Sequence, residues 1–198
     1  MNLLLRRKKK MHTHVVSIAT SSCIKLNDKV EFFHIIDDII SNETVQKMKL
    51  FRQHYDTSCY DHCLRVSYYS YYIAKKLGLD YISTARAAMM HDLFLYDWRK
   101  KYRDIELDGL HAFVHPKIAL RNACNIFSLN PVEKDIIVKH MWPLTLPFPK
   151  YTESYIVTFM DKYSALRESY LYYMEQLERN RIYKYAYIFL SLIIFRIV

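Results

Sequence analysis

The sequence predicts an all-α fold, and two observations support this prediction. Only two glycines and five prolines occur among the 198 residues, which is few for the many tight turns of an all-β protein. Apolar and polar residues also recur at helical spacing from residue 30 onwards. Since 52% of the residues are hydrophobic and 25% are charged, we expect one globular domain with a sizeable core.

The first half of the chain contains the signals of four successive helices. Two are predicted over residues 30–40 and 43–54 from the spacing of their apolar residues. A third begins within residues 56–58, which are all good capping residues, and stops at Gly78. Asp80 caps a fourth helix, whose inner face carries alanines that let a neighbouring helix come close.

The second half of the chain predicts three further helices. A histidine-proline step at residues 115–116 marks a helix start, because proline is tolerated at the first helical position. Asn130 and Glu133 can form the capping box of the next helix. Three prolines within residues 143–149 predict a loop, and a long helix follows over about residues 153–179.

The two ends of the chain differ in composition from the domain predicted over residues 29–180. Residues 1–28 include the basic run RRKKK and lack sustained periodicity, so we expect a disordered basic leader. Residues 181–198 include the uncharged stretch YAYIFLSLIIF (185–195), which is shorter than the roughly 18 residues of a transmembrane span. We therefore expect no transmembrane span, but an apolar C-terminal helix through which a homo-oligomer could form.

Composition also narrows the classes of function. With two glycines, the chain has no glycine-rich loop of the Walker or dinucleotide-binding kind. The formal charge of +9 favours anionic partners, but the basic run is the only polyanion signature, so nucleic-acid binding is not favoured. Four cysteines without a CxxC pair, and a start without a continuous apolar region, predict a cytoplasmic protein with reduced thiols.

Six histidine and aspartate side chains fall on the inward faces or ends of five successive predicted helices. Burying such groups is costly unless they are paired or coordinated. A lone buried histidine is usually satisfied by a hydrogen bond, but six such groups together predict a metal site, because imidazole and carboxylate bind divalent transition metals. The six residues are His62, His91, Asp92, His115, His140 and Asp161.

This order of residues resembles the HD-domain superfamily, a set of helical metal-dependent phosphohydrolases named for an adjacent His-Asp pair. The resemblance spans about residues 42–175 and implies a compact bundle of five core helices with flanking terminal helices. The four defining positions of the family are matched by His62, His91, Asp92 and Asp161. The two further positions that mark its two-metal subset are matched by His115 and His140.

The resemblance also implies a cofactor and a reaction. The four defining residues would hold one divalent transition metal, and the two remaining histidines a second, with Asp92 as a bridge and catalytic residue. Iron, manganese, cobalt, nickel and zinc all suit this set of ligands. Two such ions activate water for hydrolysis of a phosphoester, and the expected substrate is a small phosphorylated molecule, with a nucleotide favoured.

One ligand position stays open between two histidines. His111 and His115 both lie in the segment GLHAFVHP, before the same predicted helix. His115 is preferred because it immediately precedes Pro116, as in related two-metal proteins. The sequence leaves His111 as an alternative ligand or a donor to phosphate.

Contacts to the substrate phosphate are less defined. Lys117 is the first candidate, because helix starts attract anions, and we predict a catalytic role for it. Arg65, Lys139 and Lys162 also neighbour proposed ligands and are weaker candidates. The chain departs from the family at Leu95, where many members have a lysine three residues after the paired aspartate.

Two other functions stay open at this point. Some members with the same six ligands are mixed-valence diiron oxygenases, and the ligands alone do not separate them from hydrolases. A catalytically inactive, metal-binding regulatory domain is the third hypothesis. Retention of all six ligand types favours an active site over such a domain.

Overall fold

A computed structural model describes residues 26–99 and 109–179, together with residues 185 and 189. The leader predicted over residues 1–28 and the apolar helix predicted over 181–198 therefore lie almost wholly outside the described residues. Among the residues that are described, none of the helices combines the length and the apolar character that a membrane span requires.

Helices form most of the described structure, which confirms the predicted all-α class. They are α1 (Leu26–Ile35), α2 (Asp37–Ile40), α3 (Glu43–Gln46), α4 (Cys59–Lys76), α5 (Tyr81–Met90), α6 (His111–Ile126), α7 (Pro131–Lys139) and α8 (Thr152–Arg179). A 3-10 helix, η1 (Lys47–Leu50), and the antiparallel strands β1 (Arg52–His54) and β2 (Thr57–Ser58) connect α3 to α4.

The core bundle consists of α4 to α8. Helix α4 packs against α5 and α8, and α7 packs against α5, α6 and α8. Close packing at α5 depends on three fully buried alanines, Ala85, Ala87 and Ala88, because small side chains let neighbouring helices approach. The five predicted core helices are therefore all present, and α1 lies against α5 at the edge of the bundle.

Most helix ends follow the capping residues seen in the sequence. Ser58 accepts a hydrogen bond from the amide of Asp61 at the start of α4, and Gly78 follows that helix with a φ of +68°. Asp80 caps α5, and Asn130 begins α7 with the predicted capping box. These predictions are confirmed, because such ends are decided by side chains close in the sequence.

The helix predicted over residues 43–54 is wrong in its second half. Helical structure ends at Leu50, and residues 52–54 form β1, which turns back at Tyr55 and pairs with β2. Tyr55 has a φ of +47°, which a helix does not allow. Packing of this hairpin against the bundle outweighs the local helical pattern.

Two other helices also have boundaries that differ from the predictions. The helix predicted over residues 30–40 begins at Leu26 and is interrupted at Ile36, where φ and ψ are −105° and 8°. Helix α6 begins at His111, one turn before the predicted start, so Pro116 lies inside the helix. Lys117 is therefore not at a helix start.

Candidate metal centre

All six candidate ligands converge in the middle of the bundle. Each helix of the core bundle contributes at least one, and His91 and His140 are the C-terminal capping residues of α5 and α7. Five of the side chains are buried, and Asp161 is 13% exposed. The elements that carry the six are α4 for His62, the end of α5 for His91 and Asp92, α6 for His115, the end of α7 for His140, and α8 for Asp161.

Four of these side chains form a first group. His62 Nε2 lies 3.0 Å from Asp161 Oδ1, and His91 Nε2 lies 3.7 Å from the same oxygen. His91 Nε2 is 3.4 Å from Asp92 Oδ2. Ligand atoms of His62, His91 and Asp92 all lie within 4.8 Å of one another, so one ion can reach them all.

The second group shares Asp92 with the first. Its other oxygen, Oδ1, lies 3.2 Å from His115 Nε2 and 3.4 Å from His140 Nε2. The two imidazole Nε2 atoms are 2.9 Å apart. Asp92 therefore directs one carboxylate oxygen to each group, which is the arrangement of a carboxylate that bridges two cations.

Backbone carbonyls set the orientation of three imidazole rings. Nδ1 of each ring lies 2.8 Å from a carbonyl oxygen of the same helix, and since a carbonyl only accepts, Nδ1 carries the hydrogen. In its neutral form, each ring turns the lone pair of Nε2 towards the site, as metal-binding histidines do. The pairs are His91 with Ala88, His115 with His111, and His140 with Ile137.

Two polar atoms at the centre have no hydrogen bond to any of the described residues. His91 Nε2 and Asp92 Oδ1 are buried without a hydrogen bond among the described residues, and such atoms are rare in folded proteins because their desolvation is uncompensated. The facing Nε2 atoms of His115 and His140 have no hydrogen to share when both Nδ1 atoms are protonated. Nitrogen and carboxylate donors left in this way fit divalent transition metals.

Charges in the site keep both carboxylates ionised. Burial favours a neutral Asp92, but His91, His115 and His140 outweigh it and hold the pKa of Asp92 well below its usual range. Burial is likewise outweighed at Asp161, where His62 and His91 lower the pKa. Two ionised carboxylates inside the bundle require compensating positive charge.

The pKa values of the histidines in the site are shifted in different directions. His62 is fully buried, yet Asp161 and Glu168 raise its pKa well above the usual range. Burial lowers the pKa of His140, and Asp92 offsets only part of this effect. His62 therefore sits in a more negative part of the site than His140 does.

Sequence reasoning missed two side chains that support the ligands. Buried Glu168 contacts His62 Nδ1 at 3.0 Å and also accepts a hydrogen bond from Arg65. Gln53, on the hairpin, donates a hydrogen bond from Nε2 to Asp92 Oδ2. Glu168 follows Asp161 by two helical turns, and this spacing could have revealed it. No comparable local signal points to Gln53.

The basic candidates for phosphate contact lie in different surroundings. Lys117 is exposed on the second turn of α6, and Arg65 pairs with buried Glu168. Lys139 is 2.5 Å from Asp135, one turn earlier on α7. Lys162 is partly buried and donates to the carbonyl of His140 at 3.3 Å, and burial lowers its pKa. Of these candidates, Lys162 is in direct contact with a candidate ligand residue.

His111 lies beside the second group rather than in it. Its Nδ1 is hydrogen-bonded to the hydroxyl of Tyr96 at 2.9 Å, and its ring stacks on those of His115 and Trp98 with centroids 4.6 and 5.3 Å away. Burial and the neighbouring His115 lower the pKa of His111 to about 4. This geometry favours His115 as the ligand.

The fold and the site together define a helical domain with a His/Asp centre of the HD type. The HD domain family matches residues 59–186, which is well over half of the chain. The chain therefore belongs to the HD domain family, and the resemblance seen in the sequence is confirmed. No curated protein and no solved structure matches the chain.

Proposed function

We propose that the protein is a phosphohydrolase that cleaves a phosphoester of a small phosphorylated molecule, with two divalent transition-metal ions bound in the candidate centre. The single observation that carries this proposal is the position of Asp92, whose two oxygens face two separate groups of ligands. Membership of the HD domain family supports the class of reaction.

The proposed ligands divide between two ions that share Asp92. The first ion would be held by His62, His91, Asp92 and Asp161, and the second by Asp92, His115 and His140. Bound divalent ions supply two effects needed for the reaction, a lowered pKa of water and neutralisation of charge on phosphate oxygens.

The protein residues provide positioning and charge. Burial of the histidines excludes bulk water, and the carbonyl contacts hold their rings in place before substrate arrives. We assign a contact with the substrate phosphate to Lys162, because it is partly buried beside His140. The exposed Lys117 stays a prediction, and its position suits only the outer end of a substrate.

A nucleotide is the proposed substrate because of an aromatic stack that leads out of the site. The indole of Trp98 lies at 12° to the ring of His111, which in turn stacks on His115. Trp98 is 38% exposed. An aromatic face two rings from a proposed ligand can stack a nucleobase, and the net charge of +9 favours an anionic substrate.

The test is a turnover assay on protein saturated with Mn²⁺ or Co²⁺. Released phosphate would be measured with nucleoside monophosphates, sugar phosphates and a chromogenic phosphoester. We expect metal-dependent hydrolysis with a preference for nucleotides, and its loss in Asp92→Asn. Oxygen uptake by protein loaded with Fe²⁺, without phosphate release from any substrate, would favour the diiron oxygenase instead. Metal binding without either activity would favour the regulatory domain.

A further inference from the structure

Helix α8 carries an exposed apolar stripe on the side that faces away from the metal centre. Six large side chains on this stripe are between 43% and 71% exposed. Single exposed apolar residues are normal, whereas a continuous row of them marks an interaction surface. The stripe consists of Phe159, Tyr163, Leu166, Tyr170, Tyr173 and Leu177.

The spacing of these residues is that of a coiled-coil seam. Successive members are alternately four and three residues apart, so they occupy the a and d positions of a heptad repeat. The opposite side of the same helix carries Asp161, Ser164 and Glu168, which are directed into the bundle. Helix α8 thus turns one face into its own domain and carries on the other face a row with the period that another helix would match. Tyr163 and Tyr173 of this row also contact Tyr69 and Tyr55 of the same chain, yet both stay more than half exposed.

We propose that the stripe binds the same stripe of a second copy of this chain, in antiparallel orientation. The spacings between successive members of the stripe are 4, 3, 4, 3 and 4 residues in either chain direction. An antiparallel copy related by a two-fold axis therefore places its own stripe in register with the first. The axis would pass near residue 168, and every member of the stripe finds a partner. The layers would be Phe159 with Leu177, Tyr163 with Tyr173, and Leu166 with Tyr170.

The exposed area reaches the lower end of the range for a stable dimer interface. Large side chains bury about 150–250 Å² each, and the stripe residues are about half exposed. Pairing would therefore remove roughly 600 Å² per chain from water, to which the flanking Met174, 38% exposed, would add. A standard stable interface takes about 800 Å² per partner, so this surface is of the right order.

The test is the mass of the full-length protein in solution. We expect sedimentation equilibrium to give twice the chain mass of 23.9 kDa at micromolar concentrations. Leu166→Glu combined with Tyr170→Glu should give a monomer, because it places four carboxylates at the middle of the seam. The far-ultraviolet circular dichroism of this variant should stay near that of the parent, since both residues are exposed.

Two controls make the result decisive. Leu50→Glu changes an equally exposed leucine away from α8 and should leave the dimer intact. In a background without the exposed Cys124 and Cys23, Phe159→Cys with Leu177→Cys should form an intermolecular disulfide, whereas Phe159→Cys alone should not. A monomeric parent protein, or a dimer that persists in the double glutamate variant, would overturn the proposal. Crosslinking by Phe159→Cys alone would overturn the antiparallel orientation.

Discussion

His115 and His140 meet through their Nε2 atoms, 2.9 Å apart, although each ring already places its Nδ1 hydrogen on a backbone carbonyl. Two lone pairs at this distance repel each other unless a cation or a proton lies between them. Asp92 Oδ1, at 3.2 and 3.4 Å from the same two nitrogens, adds negative charge at this point. The pair is therefore the part of the site that most needs a cation.

Replacement of His115 by alanine should remove one of the two proposed ions. It takes away a ligand from the second group but leaves His62, His91 and Asp161 of the first. Elemental analysis after saturation with Mn²⁺ and removal of free metal measures the result. The matched control is His111→Ala, one turn earlier on α6, which should keep both ions. Loss of an ion in the control but not in His115→Ala would reverse the assignment.

Replacement of Glu168 by glutamine should weaken the first ion without removing a ligand. The carboxylate holds the ring of His62 through Nδ1, and loss of such a support typically costs about 10–100-fold in metal affinity. Isothermal titration with Mn²⁺ would measure the change. Glu175→Gln, on the exposed side of α8, is the matched control and should bind as the parent does. Equal affinities for Mn²⁺ in the two variants would contradict a role of Glu168 in metal binding.

Replacement of Trp98 by alanine should raise KM for a nucleotide while kcat changes little. Stacking contributes about 1–3 kcal/mol per base, which corresponds to roughly a 5- to 150-fold rise in KM. Hydrolysis of a phosphoester without an aromatic group should be unaffected, and Trp98→Phe should restore most of the nucleotide affinity. A parallel loss with both kinds of substrate would indicate a structural role for Trp98 instead.

Replacement of Asp135 by asparagine should destabilise the loop that follows α7. Burial favours the neutral acid, but Lys139, the amide of Lys150 and the hydroxyl of Ser154 outweigh it and lower the pKa of Asp135. We expect the free energy of unfolding near neutral pH to fall by about 1–3 kcal/mol.

The effect of Asp135 should depend on pH in a defined direction. An acid whose pKa is lowered by folding stabilises the protein above its unfolded pKa of about 3.9, and this contribution is lost as the pH falls through the folded pKa. Urea unfolding of the parent and Asp135→Asn should therefore give free energies that converge below about pH 4. Asp56→Asn, at an exposed ion pair, should show little difference at any pH. A constant gap between the parent and Asp135→Asn would contradict the prediction.

The sequence was informative where neighbouring residues decide the structure. Ser58, Asp80 and Asn130 cap their helices through side chains that reach amides three residues away, so the starts of α4, α5 and α7 were predictable. The six candidate ligands were recognisable because each breaks an apolar helix face or end. Their convergence followed from the family resemblance and the number of helices.

The sequence was uninformative where distant residues decide the structure. Gln53 reaches Asp92 across 39 positions, and this contact has no local signature. Glu168 reaches His62 across 106 positions, and its spacing from Asp161 indicates a shared helix face but not its partner. The hairpin that carries Gln53 replaces a helical pattern because its residues pack on the bundle. The start of α6 predicted from Pro116 is one turn too late, because a proline is compatible with several positions near a helix start but does not specify one.

The number of ions bound per chain tests the central claim most directly. Protein saturated with Mn²⁺ and freed of excess metal should contain two ions per chain by elemental analysis, and Asp92→Asn should lose both or retain them weakly, because both groups share this carboxylate. A parent protein that binds one ion or none under these conditions would contradict the two-metal site.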